Sequence, residues 1–325
     1  MKSDIQWMPA RIAATRTLSP TVREFEIRPE SGVAAPYEPG AHLQVQVLAG
    51  NVQTRHYSLI GAPNGLSWRI AVKRMDEGRG GSRAMWQLEP GDRLMVSDPQ
   101  NHFPLDLQAP GYLLVAGGIG ITPMVYMAQQ AAAVAARRGA ALRMLYGART
   151  TEELAYGEPL QALLGERLAL HAGSAAIDFA AEIAALAPGA QLYACGPVPM
   201  LEAVKQAWAD AGRPPVDLRF ETFGSSGRLP TQAFRVRIPR HGLDIEVPAN
   251  STLLEALEAH GVQALSDCRR GECGLCAMDV LAVDGEIDHR DVFLSPHEKQ
   301  ACTRMCACVS RAVGAITLDS AYRPD

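Results

Sequence analysis

Cys268, Cys273 and Cys276 stand in one short run, Cys268-Arg-Arg-Gly-Glu-Cys273-Gly-Leu-Cys276, with the spacing C-x4-C-x2-C. Three thiols this close can converge on one inorganic centre. With a fourth cysteine further along, the spacing is that of ligands to a [2Fe-2S] cluster. Gly271 and Gly274 add what such a loop needs, because residues without a Cβ let backbone N–H groups approach the sulfurs.

The fourth thiol must come from Cys302, Cys306 or Cys308. Cys308 opens Cys-Val-Ser-Arg ahead of a β-like run, and thirty-one residues separate it from Cys276. In this it resembles the final ligand of plant-type ferredoxin domains, and that resemblance selects Cys308, with Cys306 in reserve. A structural zinc site of four cysteines is the competing reading. Zinc ribbons usually pair two C-x2-C knuckles, whereas one such pair is visible here. Seven cysteines, an odd number concentrated in one segment, do not suggest a disulfide framework.

Composition bounds the rest. At 325 residues the chain is long for a single core, so two or three domains are expected. A formal charge of -4, without a basic stripe carrying interleaved aromatics, gives no reason to expect nucleic acid. No apolar run approaches the roughly 18 to 20 residues of a membrane helix. The first residues include acidic and aromatic side chains and no apolar h-region, so a soluble, cytoplasmic protein is expected.

The elements that must position this chemistry follow in order. Between residues 7 and 107, short alternating runs (22–27, 42–47, 67–72 and 93–96) are separated by turn residues such as Pro39-Gly40, Pro63-Asn-Gly65 and Pro90-Gly91, which predicts a small antiparallel barrel. Within it, Arg55 and Tyr57 of Arg55-His-Tyr57-Ser58 share one strand face. A cation beside an aromatic plate suits a ligand that joins a flat ring to a phosphate. A second piece, Ala71-Val72-Lys73, leads to the glycine-rich run Gly78-Arg-Gly80-Gly81-Ser82, whose N–H groups could form an anion-binding nest.

From residue 108 the pattern changes. Tyr112 to Ala116 reads as a strand buried on both faces. It breaks at Gly117-Gly118-Ile-Gly120 and restarts as a helix, for which Thr122 is expected at the N-cap and Pro123 at the first helical position. A strand, glycine turn and helix start make a pyrophosphate site. Strand and helix segments then alternate to residue 220, including one helix expected over 152–164, and predict a doubly wound parallel sheet. Ligands of such sheets sit beyond the carboxyl ends of the strands, where Cys195-Gly196-Pro197 falls.

Gly224 to Thr231 lacks periodicity and reads as a flexible linker. Beyond it, a hairpin (234–238 and 243–247), a helix announced by Thr252 and Glu255 as a capping box, and the cysteine loop form a separate unit.

The combination of Arg55-x-Tyr57-Ser58, Gly78 to Ser82, Asn101-x-Phe103-Pro104-Leu105, a Gly-Gly-x-Gly-x-Thr-Pro turn, Cys195-Gly-Pro and the four thiols resembles the phthalate dioxygenase reductase and vanillate demethylase reductase family. The resemblance implies an FMN-binding antiparallel β-barrel (1–107), an α/β NAD(P)-binding domain (108–223), a linker (224–231) and an α+β β-grasp [2Fe-2S] ferredoxin domain (232–325). It places Arg55, Tyr57, Ser58, Ala71, Val72, Lys73, Gly80, Gly81 and Ser82 around the flavin. Gly117, Gly118, Gly120, Thr122, Pro123, Arg149, Gly196 and Pro197 fall to the nucleotide. Cys195, Phe223 and Ser58 would shape the reacting centre, with Phe223 packing on the flavin. Cys268, Cys273, Cys276 and Cys308 would hold the metal.

It further implies electron transfer from NAD(P)H through FMN and the cluster to a Rieske-type terminal oxygenase, by a monomeric reductase. Asp267, Arg269, Arg270 and Glu272 are candidates for the docking face. No acidic residue follows His171 in His171-Ala-Gly-Ser174, and Arg149 could approach a 2′-phosphate, so NADPH stays open beside NADH. Two other functions compete: a flavin reductase that releases reduced flavin, and a zinc-stabilised binding protein without redox chemistry.

Overall fold

The computed structural model describes residues 5–319 apart from 50, 77–78, 174–176 and 224–226. Gly78 and Ser174, both singled out above, lie outside the described residues. The chain divides into two compact units, 1–76 with 80–221, and 77–79 with 222–325.

The first unit opens with β1 (Trp7–Thr17), β2 (Val22–Pro29), β3 (Ala41–Ala49), β4 (Asn51–Ser58) and β5 (Trp68–Lys73), then a short helix α1 (Gly81–Trp86), then β6 (Arg93–Ser97) and β7 (Gln100–Asn101). These strands form a nearly closed antiparallel barrel in the order β4-β3-β6-β1-β2-β5, with β7 paired to β3. Alternation gives the barrel its inside: Phe25, Ile27, Leu43, Val45, Trp68, Ile70 and Val96 are buried on its inner face. The helix α1 was hidden in the sequence by the glycines that begin it. Gly80, at φ 85, turns the chain into it.

The same unit continues with β8 (Gly111–Gly117), α2 (Ile121–Arg138), β9 (Ala141–Ala148), α3 (Gly157–Leu164), β10 (Leu168–Ala172), α4 (Phe179–Ala184), β11 (Gln191–Cys195), α5 (Val198–Asp210) and β12 (Leu218–Glu221). All pairings are parallel, in the order β10-β9-β8-β11-β12. Every residue of β8 is buried, as a central strand covered on both faces must be. The order reverses direction between β8 and β11, so their carboxyl ends open a crevice.

Two expectations fail here. The helix expected over 152–164 is broken: a 3-10 turn (Thr151–Glu153) is followed by Tyr156 at φ 64, and α3 starts only at Gly157. Tyr156 holds that conformation from the side, its hydroxyl donating to Glu24 Oε2 of the barrel at 2.6 Å. Thr122 is not an N-cap either. A 3-10 turn over Gly118–Gly120 runs into α2, Gly120 takes the cap position, and the Thr122 hydroxyl donates to the Ile119 carbonyl at 3.0 Å. Pro123 still falls in the first turn, where its missing N–H costs nothing.

The second unit contains β13 (Phe234–Ile238), β14 (Leu243–Val247), α6 (Leu253–Ala259), β15 (Ala277–Asp288), α7 (Pro296–Ala301), β16 (Arg304–Cys306) and β17 (Arg311–Asp319). They form a mixed sheet in the order β14-β13-β17-β15-β16, with β13 and β17 parallel. The apolar face of α6 (Leu253, Leu254, Ala256, Leu257) packs with Phe234, Val236, Ile238, Val247, Ile316 and Leu318 into one core, as in a β-grasp ferredoxin. Both bonds of the Thr252–Glu255 capping box are made, at 3.0 and 2.7 Å.

The segment after residue 226 is not free of this unit. The N–H of Arg228 donates to Asp288 Oδ1 at 2.9 Å, and Arg290 Nη2 donates to the Leu229 carbonyl at 3.3 Å and to the Thr231 hydroxyl at 3.2 Å. Arg290 and Asp288, both buried, are themselves paired at 2.7 Å. Among the described residues, no helix is long and apolar enough to cross a membrane.

Candidate functional site

The loop from Cys268 to Cys276 follows α6 and leads into β15. It bends through three left-handed residues, Arg269 (φ 52), Gly271 (φ 77) and Gly274 (φ 73), and so wraps around a centre. The N–H groups of Arg270, Glu272 and Cys273 all point at Cys268 Sγ, each at 3.4 Å. A Cβ on Gly271 would meet Val309 Cγ2 at 2.6 Å and Asp291 Cα at 2.9 Å, and one on Gly274 would run into the Phe293 ring. Glycine is required at both points by conformation and by space.

Four of the sulfurs form two pairs. Cys276 Sγ lies 3.1 Å from Cys308 Sγ, and Cys268 is hydrogen-bonded to Cys273 by both backbone and side chain. Cys308 also receives the N–H of Gly271. Cys268, Cys276 and Cys308 are buried, while Cys273 is half-buried. Hydrogen bonds from Cys306 and Cys308 hold Cys276 far below the usual thiol range, at about 3, whereas burial pushes Cys268 up. Among the described residues, no three His, Cys, Asp or Glu side chains are arranged around a single metal ion. Two thiol pairs with amides aimed at sulfur suit a two-iron group. The residues fit a [2Fe-2S] cluster.

Several charges around this loop were not legible. Arg270 is buried and paired with Glu272 at 3.2 Å, and Glu272 also accepts the Thr222 N–H at 2.6 Å. Arg269 instead pairs with Glu258. Arg270 and Glu272 therefore hold the loop from inside, and the docking face expected from them is reduced to the remaining charges. Behind the loop sits Asp291, fully buried, whose Oδ2 accepts the Leu294 N–H at 2.8 Å and Oδ1 the Ser310 hydroxyl at 3.1 Å. The N–H of Val292 reaches the Gly271 carbonyl at 3.0 Å.

On the first unit, Arg55 and Tyr57 face the same side of β4, opposite Val45 and Leu43. Arg55 lies across the start of α1, close enough that a Cβ on Gly81 would meet its Nε at 2.7 Å. Its guanidinium is steered by the Thr54 carbonyl at 2.8 Å and by Gln53. Burial pushes the Tyr57 hydroxyl up, partly offset by Arg55. Ser58, Ala71 and Val72 are buried beside them. The Ser82 hydroxyl accepts the Met75 N–H at 3.1 Å. Lys73 turns elsewhere, its Nζ 3.6 Å from Glu153, which the Thr21 hydroxyl also reaches at 2.5 Å. A cationic group over a glycine-started helix, next to a tyrosine plate, has the chemistry to receive a phosphate and a flat ring.

At the β8–β11 crevice the glycines serve close approach. A Cβ on Gly117 would meet Met200 Sδ and Pro197 Cδ, both at 2.7 Å; one on Gly196 would meet Met200 Cε at 2.6 Å; one on Gly120 would collide with the Cys195 carbonyl. Cys195 is fully buried at the end of β11. Gly118 (φ 53) and Gly120 line the turn, with Thr122 and Pro123 behind it. Arg149 is exposed just past β9, next to the end of β10. This crevice fits a dinucleotide. Phe223, half-buried after β12, belongs to the second unit.

Known proteins resemble this chain over nearly its whole length. The family model described as 2Fe-2S iron-sulfur cluster binding domain matches residues 236–313, and that described as oxidoreductase NAD-binding domain matches 114–172. The heme-dependent oxidative N-demethylase beta subunit of Ectopseudomonas mendocina (strain ymp) is 37% identical over 316 residues, covering 96% of this chain and 98% of that one. Phthalate dioxygenase reductase of Burkholderia cepacia is 35% identical over 315 residues, 94% of each chain. The solved structure of a phthalate dioxygenase reductase, described as modular for electron transfer from pyridine nucleotides to [2Fe-2S], superposes with a TM-score of 0.75 at 33% identity, covering 96% of this chain and 98% of that one.

Proposed function

The chain belongs to the phthalate dioxygenase reductase family, and on that premise we propose that it is the reductase of a two-component oxygenase system with a Rieske-type terminal oxygenase. It is an NAD(P)H-dependent oxidoreductase whose cofactors are FMN and a [2Fe-2S] cluster. The bound flavin supplies the chemistry that a pyridine nucleotide and an iron-sulfur centre cannot perform directly, accepting a hydride and releasing electrons singly.

The chain's own residues divide that work. Arg55, with the loop from Gly80 to Ser82, holds the flavin phosphate, while Tyr57 and Ser58 line the ring and Ala71 and Val72 close its side. Gly117, Gly118 and Gly120 admit the pyrophosphate at the start of α2. Cys195, Gly196 and Pro197 narrow the nicotinamide end of the crevice, so that the ring can enter in one orientation. Cys268, Cys273, Cys276 and Cys308 hold the two irons. Lys73 stands at the end of the same strand as Ala71 and Val72, paired with Glu153.

The observation that carries this reading is the pair of thiol pairs, with loop amides aimed at Cys268. Replacing Cys273 by Ser tests it. Reduction of the flavin by NADH should persist while reduction of cytochrome c falls to background; undiminished cytochrome c reduction would mean that the thiols are not the electron outlet, as in a reductase that releases its flavin.

One observation favours a second acceptor. A relative at 37% identity is named as a subunit of a heme-dependent demethylase, so a haem oxygenase competes with the Rieske type. NADH is the expected nucleotide; the exposed Arg149 at the carboxyl edge leaves NADPH open, and the ratio of kcat/KM for NADH and NADPH decides between them.

A further inference from the structure

The segment that follows Arg149 is fastened to the barrel at two points. Glu153 ends the 3-10 turn; its Oε2 accepts the Thr21 hydroxyl at 2.5 Å and the Ser19 hydroxyl at 3.4 Å, and lies 3.6 Å from Lys73 Nζ. Further on, the Tyr156 hydroxyl donates to Glu24 Oε2 at 2.6 Å, and both side chains are buried. Burial and the charge of Glu24 push the Tyr156 hydroxyl up, so it keeps its proton and remains the donor.

The register of β2 and β5 brings the two points together. Glu24 stands opposite Ala71, and Val22 opposite Lys73. Residues two apart on a strand share a face, so Glu24, Ala71 and Lys73 lie on one side of the sheet. The other side, with Phe25 and Ile70, belongs to the barrel core. The segment from Arg149 to Tyr156 therefore rests on the outer face of the strand that carries Ala71 and Val72.

Tyr156 reaches Glu24 from φ 64, a left-handed conformation in which its Cβ is strained. Such strain persists only where the surroundings hold it. A directional bond between buried groups fixes the segment in one place, whereas an apolar contact would let it slide.

We propose that Tyr156 and Glu24 are positioning residues for hydride transfer: their bond, with the Glu153 anchor beside it, holds the nucleotide-binding segment at a set place against the flavin-binding strand. The transfer takes a hydride from NADH, which leaves as NAD+, and it is steeply sensitive to how the two rings are placed. This role rests on the reading of the barrel as the flavin site and of the β8–β11 crevice as the nucleotide site.

The test compares the full-length holoprotein as wild type, Tyr156→Phe, Glu24→Leu, the double variant and Glu24→Gln. Hydrogen–deuterium exchange without nucleotide, read by mass spectrometry, should quicken over residues 149–157 in Tyr156→Phe and Glu24→Leu, with β8 unchanged. In anaerobic stopped-flow mixing with NADH, the saturating rate of flavin reduction should fall roughly tenfold in both, with half-saturation moved by no more than about twofold. The double variant should be no slower than either single one, since all three lose the same bond. Glu24→Gln keeps an acceptor for the hydroxyl and should run at the wild-type rate; the pair it gives up, with the exposed Arg16, is worth little. If Tyr156→Phe loses its flavin on purification, Glu24→Leu against Glu24→Gln gives the same reading. A saturating rate in Glu24→Leu equal to that of wild type, a rise in half-saturation alone, or a Glu24→Gln as slow as Glu24→Leu overturns the positioning role. Wild-type flavin left oxidised by NADH overturns the functional reading beneath it.

Discussion

Cys276 Sγ and Cys308 Sγ lie 3.1 Å apart, although one ends the cysteine loop and the other sits in the turn between β16 and β17. The sheet makes this possible, because β15 pairs with both β16 and β17 and carries the loop end to the turn. The meeting of these two sulfurs is therefore a product of the sheet topology as much as of the loop.

The loop itself is the first place to perturb. Gly271 combines φ 77 with a wall formed by Val309 and Asp291. Gly271→Ala carries a left-handed cost of about 1 kcal/mol in addition to that contact. The expected result is a lower iron content per chain with flavin content unchanged, measured on the purified protein.

At the other cofactor edge, Gly120→Ala should press on the Cys195 carbonyl and shift the Cys-Gly-Pro turn. We expect NADH-driven flavin reduction to slow by roughly tenfold or more, as misplacement of reacting groups costs. Stopped-flow absorbance under anaerobic conditions reads it, and the cluster spectrum should not change.

Asp288 and Arg290 form a buried pair that also grips residues 228–231. Asp288→Ala leaves a buried guanidinium without its carboxylate, which costs about 3 to 5 kcal/mol. Chemical denaturation should show that loss in the second unit, and flavin release from the first unit should be unaffected.

Asp291 gives a pH dependence. Burial pushes its pKa up, but His289 lying 3.8 Å away, hydrogen bonds from the Leu294 N–H and the Ser310 hydroxyl, and the charge of Lys299 more than reverse this and leave it below 3.8. Its folded pKa is depressed, so it contributes stability that is present above 3.8 and lost as the pH falls through the folded value. Asp291→Asn should be less stable near neutral pH and should lose less on acidification, in thermal melts followed by circular dichroism.

The iron-sulfur domain was legible because C-x4-C-x2-C is a spacing that few other roles produce. The parallel sheet was legible because β8 is apolar throughout and ends in glycines. The role of Thr122 was not, since a 3-10 turn costs no change in composition and moves the helix start by two residues. The six residues of α1 were hidden by the glycines at its start, Gly80 at the cap and Gly81 as the first helical residue. The burial of Arg270, Asp288, Arg290 and Asp291 was not legible, because their partners are supplied by folding: Arg228 lies sixty residues from Asp288, and Ser310 nineteen from Asp291.

We propose a relay from pyridine nucleotide through flavin to a [2Fe-2S] cluster held by Cys268, Cys273, Cys276 and Cys308. The decisive measurement is the visible spectrum of the protein purified without air, recorded before and after one equivalent of NADH, with the extracted flavin identified by chromatography. FMN is expected, with flavin and iron-sulfur bands that both bleach. Flavin that bleaches without any iron-sulfur absorbance, or a colourless protein that carries zinc, would contradict it.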